Sequence, residues 1–173
     1  MAISTFPVVA GAQIVDVGDT TAKMEPGTIC AYRSGTDQWA VLQYVQIDAT
    51  AVKKGAALVQ NFATLKQYSV KAAATADAGT PLAGVAMAST GAAKYGWMAI
   101  HGWVETVELS HTAASGEYLM ISGSTAAMLT PDKASVFNAG THGSSSMFMV
   151  VGVARTAIAT GTGSATLLGW WGV

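Results

Sequence analysis

The sequence predicts a mainly β protein: a small antiparallel β-sandwich or β-barrel module, or several, with an extended N-terminal arm and few short helices. Three observations carry this expectation. No window holds an i, i+3, i+4, i+7 apolar stripe for three turns, because Gly, Thr, Val and Ser recur every few residues. Apolar residues instead alternate with polar ones at period two, which is the spacing of a half-buried strand. Gly-containing turn sequences separate these stretches: Ser34-Gly35-Thr36-Asp37, Ala78-Gly79-Thr80-Pro81, Ala114-Ser115-Gly116 and Ser122-Gly123-Ser124.

The clearest strand runs from Trp39 to Ile47, with Val41, Gln43, Val45 and Ile47 on one face and Leu42, Tyr44 and Gln46 on the other. Further strands are expected at Ala57 to Asn61, Leu65 to Ala72 and Leu82 to Ala88. Tyr95 to Leu109 reads as two strands or one long bent strand, with Gly102 at the bend. In its second half Trp103, Glu105, Val107 and Leu109 would share a face, so that Glu105 implies an edge or a partner. Strands are also expected at Glu117 to Ser122, Met147 to Ala157 and Ala165 to Trp171. Short helices are expected at Ala49 to Lys54 and at Ser124 to Leu129 or Pro131 to Phe137, while Ala-rich Lys71 to Ala78 suits a helix or a loop. Two faint echoes run along the chain. Gly84-Val85-Ala86 matches Gly152-Val153-Ala154, and Lys54-Gly55-Ala56-Ala57-Leu58-Val59 parallels Ser115-Gly116-Glu117-Tyr118-Leu119-Met120. The organisation expected is an arm with first strands over 1–40 and a β domain over 41–173. That domain would be one unit or two small modules, 41–122 and 123–173, sharing a core.

Among 173 residues only 11% are charged, against about a quarter in an ordinary soluble domain. Nine basic and ten acidic residues leave a net charge of -1, which gives no electrostatic footprint for nucleic acid or for an anionic membrane surface. The charge is also uneven, since Arg155 is the single charged residue after Lys133. Such a stretch needs Ser, Thr and Gly to cover it, or another subunit. It runs into Gly169-Trp170-Trp171-Gly172-Val173. Burying two indoles would remove roughly 400 Å² from water, on the order of 10 kcal/mol before ordering costs.

Cys30 is the only cysteine, so no internal disulfide is expected, and the pattern suits a reducing compartment. Residues 1–11 lack a basic segment and carry Thr5 and Pro7, unlike a secretory signal, and the chain is expected to be made in the cytoplasm. Chemistry is sparse. His101, His111 and His142 have no metal-ligand spacing among them, and Ser144-Ser145-Ser146 near His142 lacks a Gly-x-Ser-x-Gly elbow. Gly161-Thr162-Gly163-Ser164 is not followed by the lysine of a phosphate loop. No catalytic residue, metal or cofactor is expected. Trp97 and Trp103 lie six residues apart and would share a face of a regular strand, as one packed cluster or one interface hot spot.

The order of Gly55-Ala56-Ala57-Leu58-Val59, Pro81-Leu82-Ala83-Gly84-Val85-Ala86, Tyr95-Gly96-Trp97-Met98-Ala99-Ile100-His101-Gly102 and Ser115-Gly116-Glu117-Tyr118-Leu119 resembles the small β module of tailed-bacteriophage head decoration (cement) proteins. The resemblance covers about residues 50–122. It implies a structural virion protein, without cofactor, made in the host cytoplasm and bound to the major capsid protein on the outer surface of the head, often as a homotrimer. By clamping neighbouring capsid subunits such a protein stabilises the expanded shell. Trp170, Trp171, Val173, Trp97 and Trp103, with Ile3, Phe6 and Pro7 of the arm, are the expected interface residues. Other expectations consistent with the composition are a head-fibre or receptor- or glycan-binding module using Trp39, Trp97 or Trp103, and another virion subunit such as a tail tube or minor capsid protein.

Overall fold

The computed structural model describes residues 18–35, 38–63, 66–77, 80–131 and 150–168. Ten strands form the described fold: β1 (Ile29–Gly35), β2 (Gln38–Ile47), β3 (Ala57–Gln60), β4 (Ser69–Ala72), β5 (Gly84–Ala86), β6 (Tyr95–Leu109), β7 (Tyr118–Ile121), β8 (Leu129–Pro131), β9 (Gly152–Ala154) and β10 (Gly161–Leu167). The protein is mainly β, and among the described residues the helical content is a single 3-10 turn at Thr75–Asp77.

The helices expected at Ala49 to Lys54 and Ser124 to Leu129 do not form. Val52 instead bridges Thr90, and Leu129 enters β8. Each stretch is shorter than the three turns an isolated helix needs, so tertiary pairing takes its backbone groups. Pro131 to Phe137 lies outside the described residues after its first position.

The strand pairings close on themselves twice. In the first circuit β2 pairs β4, β4 pairs β3, β3 pairs β5, β5 pairs β6, and β6 returns to β2. In the second, β6 pairs β8, β8 pairs β7, β7 pairs β9, β9 pairs β10, and β10 returns to β6. Closure leaves few strand edges unpaired, as in a small barrel. The sheet is mixed, since β2–β4 and β6–β8 are parallel while the other pairings are antiparallel.

The circuits are equivalent pair by pair. Leu58 faces Ala72 and Gly84 in the first, and Leu119 faces Pro131 and Gly152 in the second. The bridge Val52–Thr90 corresponds to Ala113–Ile158, and Gly55 and Gly116 both have φ of 86°. Both sequence echoes fall on these equivalent places.

Strand β6 belongs to both circuits, and two irregularities let it do so. Opposite Val41 and Leu42 it spends His101 and Ala99 with Ile100 extra, and opposite Gly163 and Ala165 it spends Val107 and Val104. Each extra residue reverses the facing parity. Trp97 and Val104 therefore both enter the core although seven positions apart, and Trp103 falls out of phase with Trp97. The second irregularity corrects the expectation for Glu105: Val104, Val107 and Leu109 are buried while Glu105 is exposed. At the crossing Gly102 has φ of 86°, and a Cβ there would stand 2.3 Å from the Trp39 carbonyl oxygen. No other residue type fits that approach.

Two apolar clusters fill the fold. Val45, Ile47, Leu58, Val70, Ala86 and Met98 form the smaller one. The larger runs through both circuits, from Leu42, Tyr44 and Trp97 to Val107, Leu119, Leu129 and Leu167.

Candidate docking surface

Asp19 pairs by backbone with Tyr95, which ties the chain ahead of β1 to the start of β6. Beneath it Tyr44 donates its hydroxyl hydrogen to Asp19 Oδ2 at 2.9 Å and accepts from the Lys23 backbone N–H at 3.3 Å, while Lys23 Nζ lies 2.9 Å from Asp19 Oδ1. The Tyr44 ring stacks near Tyr95 and meets Trp97 edge-on with centroids 5.2 Å apart. Burial, with the Asp19 carboxylate adding, pushes the Tyr44 phenol up to about 12. This knot fixes where β1 starts, because Gly27 N–H donates to the Tyr44 carbonyl just before Ile29.

β1 then pairs with β2 in direct opposition: Ile29 with Gln43, Ala31 with Val41, Arg33 with Trp39. Directly opposed residues share a face. Ile29, Ala31 and Trp39 are exposed there, Trp39 to 54%, and the Arg33 guanidinium lies 5.4 Å from the Trp39 ring centroid. Among the described residues no strand lies on the outer edge of β1. Burial raises the Cys30 thiol on the opposite face, and burial with the Glu105 carboxylate raises Tyr32.

Next to Ile29 opens a groove of about 730 Å³, walled by Phe62, Pro81, Leu82, Met98 and Ile100, with Gln43, Lys71 and Asp77 among its polar groups. Phe62 is 88% exposed. Lys71 Nζ stands 3.4 Å from Asp77 Oδ2, so this wall carries its charge as a pair. Leu168 is also exposed, and its carbonyl accepts a hydrogen bond from His101 Nδ1 at 3.1 Å, which assigns the ring proton to that nitrogen. In the second circuit Tyr118 of β7 is also exposed, to 52%.

The sequence-expected interface residues separate into three sets. Trp97 is 4% exposed and packed in the larger core, so its surface is spent inside the protein and offers nothing to a partner. Its indole Nε1–H has no hydrogen-bond partner. Trp103 is half-buried. Ile3, Phe6, Pro7, Trp170, Trp171 and Val173 lie outside the described residues, as does His142. The sequence reading missed Ile29, Phe62, Tyr118 and Leu168, because nothing in the apolar runs around them marks which member is exposed.

His111 meets the Ser110 hydroxyl at 3.0 Å and Thr130 Oγ1 at 3.4 Å. Among the described residues no three His, Cys, Asp or Glu side chains converge as metal ligands. The geometry offers a contact surface, apolar with an aromatic ring backed by a cation.

Neither the protein-family models nor the curated proteins contain a match to this chain. Among solved structures it is similar to the head fiber gp8.5 N base of bacteriophage phi29, with a TM-score of 0.47 and 12% identity over 73% of this chain and 92% of that chain. A likeness of that degree assigns no function.

Proposed function

We propose that this chain is a structural, non-enzymatic virion protein that attaches to the outer surface of a phage head by binding the major capsid protein. The observation that carries the reading is the apolar surface on β1–β2 and the adjoining groove. It exposes Ile29, Trp39 and Phe62 on a chain that is otherwise poor in charge. Interface cores are depleted of charge and built around aromatic and Arg anchors, and the Trp39–Arg33 pair has that chemistry. The decoration-module resemblance of residues 50–122 supports the same class.

Two finer forms differ in geometry. A clamp across neighbouring subunits needs contact faces on opposite sides of the molecule. A fibre base or receptor- or glycan-binding module needs one attachment patch. Ile29 and Phe62 share one groove, and Trp39 continues the same β1–β2 face, so the clustering favours the single-patch form. The clamp remains the second reading, with Tyr118 as the isolated apolar group on the far circuit. In either form a homotrimer on the head would bury the low-charge surface, with residues 3–7 and 170–173 available as further contacts.

Co-sedimentation with expanded heads that lack the protein tests this. Saturable binding is the expected result, and absence of binding by a well-folded chain overturns it. Heads that survive to higher temperature when loaded would select the clamp; unchanged head stability with saturable binding would select the fibre base. Sedimentation of the free protein reads the trimer directly.

A further inference from the structure

Backbone direction along β1 alternates, and the hydrogen bonds at its start fix the phase. Tyr44 N–H donates to the Thr28 carbonyl at 2.9 Å, so the groups of Thr28 point at β2. By alternation Cys30 and Tyr32, opposite Leu42 and Ala40, also point at β2, while the N–H and C=O of Ile29 and Ala31 point to the outer edge. There they meet no partner among the described residues. Exposed edges are ordinarily guarded by charge, proline or a bulge, and Ile29-Cys30-Ala31-Tyr32 carries neither charge nor proline. The bulge of the β1–β2 pair comes later, after Arg33.

The groove continues this edge. Gln46 N–H donates to the Tyr68 carbonyl, so β4 lies on the same edge of β2 as β1, end to end with it. Ile29 stands opposite Gln43 and Ser69 opposite Gln46, a gap of three residues, about 10 Å. β3 pairs the far side of β4 and runs toward β1, and Asn61 N–H makes its last bond, to the Ser69 carbonyl. A strand laid along the outer edge of β1 is therefore in line with the end of β3, and the space between them is the groove lined by Ile29, Asn61 and Phe62. Lys71 and Asp77 in its wall pair with each other, which leaves no counter-charge for a charged side chain entering it.

We propose that the outer edge of β1 receives an extended segment of the capsid protein as an added strand, its backbone bonded to Ile29 and Ala31 and an uncharged, apolar side chain set between Ile29 and Phe62. Main-chain bonds supply attachment in this mode, and the pocket selects the side chain. The inference deepens the capsid reading and rests on it.

Hydrogen exchange read amide by amide tests it, in the free protein and in protein released from loaded heads after exchange. In the free protein the Cys30 and Tyr32 amides should exchange slowly and those of Ile29 and Ala31 fast. On heads, Ile29 and Ala31 should slow at least tenfold. Fast exchange there in protein that is still bound overturns the added strand and leaves the capsid reading standing, whereas absence of binding overturns both. Slow exchange in the free protein at every concentration would mean that the chain covers its own edge, and slowing that grows with concentration would mean that a second copy does. Either result overturns the proposal. Ala31→Pro gives an independent reading, since it deletes an outward N–H at an edge position where proline is tolerated. Affinity for heads should fall at least tenfold with the melting temperature close to that of the parent chain, and parent-like affinity overturns the proposal. Should the variant melt early, the exchange measurement decides alone.

Discussion

At the scale of the residue, backbone conformation and burial set the strongest constraints. Gly102 and Gly116 share φ of 86°, yet a Cβ at Gly102 meets the Trp39 carbonyl oxygen at 2.3 Å and one at Gly116 meets nothing within 4 Å. Alanine at Gly116 should therefore cost about 1 kcal/mol from conformation alone. Alanine at Gly102 adds displacement of backbone and should cost about 3 kcal/mol or more, which thermal melting of the two variants reads directly. Tyr44 gives a pH signature. Its folded-state value is raised to about 12 from an ordinary 10, so the native state holds the phenol proton more tightly. The stability this contributes is fully present below pH 10 and is lost as pH rises through 12. Melting temperature should fall over that window, and Tyr44→Phe should remove part of the fall while costing about 1 kcal/mol at neutral pH from the lost Asp19 and Lys23 hydrogen bonds. Of the residues in the docking surface, the sequence marked Trp39 as a candidate platform. It also marked Trp97 and Trp103 as sharing a face, and the first irregularity of β6 sets Trp103 out of phase with the buried Trp97, because period two is readable from a sequence and an inserted residue that resets it is not.

At the scale of the element, the long alternating strands were legible and the short ones were not. β2 and β6 carry enough residues for period two to show through, and both lie where the alternation puts them. β10 begins at Gly161, four residues before its expected start, because Gly and Thr in Gly161–Leu167 conceal the alternation. β1 was expected without bounds, among first strands over 1–40, and β8 was missed. Ile29–Gly35 mixes Cys, Ala and Arg, and Leu129–Pro131 is three residues ending in proline. Each is a strand because a neighbour supplies its hydrogen bonds, β2 for the first and β7 for the second. The equivalence of the circuits makes a quantitative expectation. Leu58 of β3 and Leu119 of β7 are both fully buried at matching register. Leu58→Ala and Leu119→Ala should each lose about 2–5 kcal/mol in denaturant unfolding. Because β6 is common to both circuits, a single transition is expected for either variant; two separated transitions would show that the circuits melt independently.

At the scale of the whole molecule, the surface decides what the protein can do. Trp39→Ala removes an exposed ring that packs on no core cluster, so the fold should melt unchanged while binding to heads weakens by about 2 kcal/mol, roughly thirtyfold in affinity. Equal loss at Trp39 and at Tyr118 in the same titration would instead place contacts on both circuits, as a clamp requires. The sequence by itself determined the β class, the punctuation by glycine turns and the poverty of charge that points to a covered surface. These follow from local propensity and composition, which each residue carries with it. The closure of ten strands into two equivalent circuits, the service of β6 in both, and the choice of which apolar groups are buried were decided by tertiary structure alone. Pairing partners lie tens of residues apart and compete for the same edges, and a bulge of one residue in β6 reverses every facing that follows it.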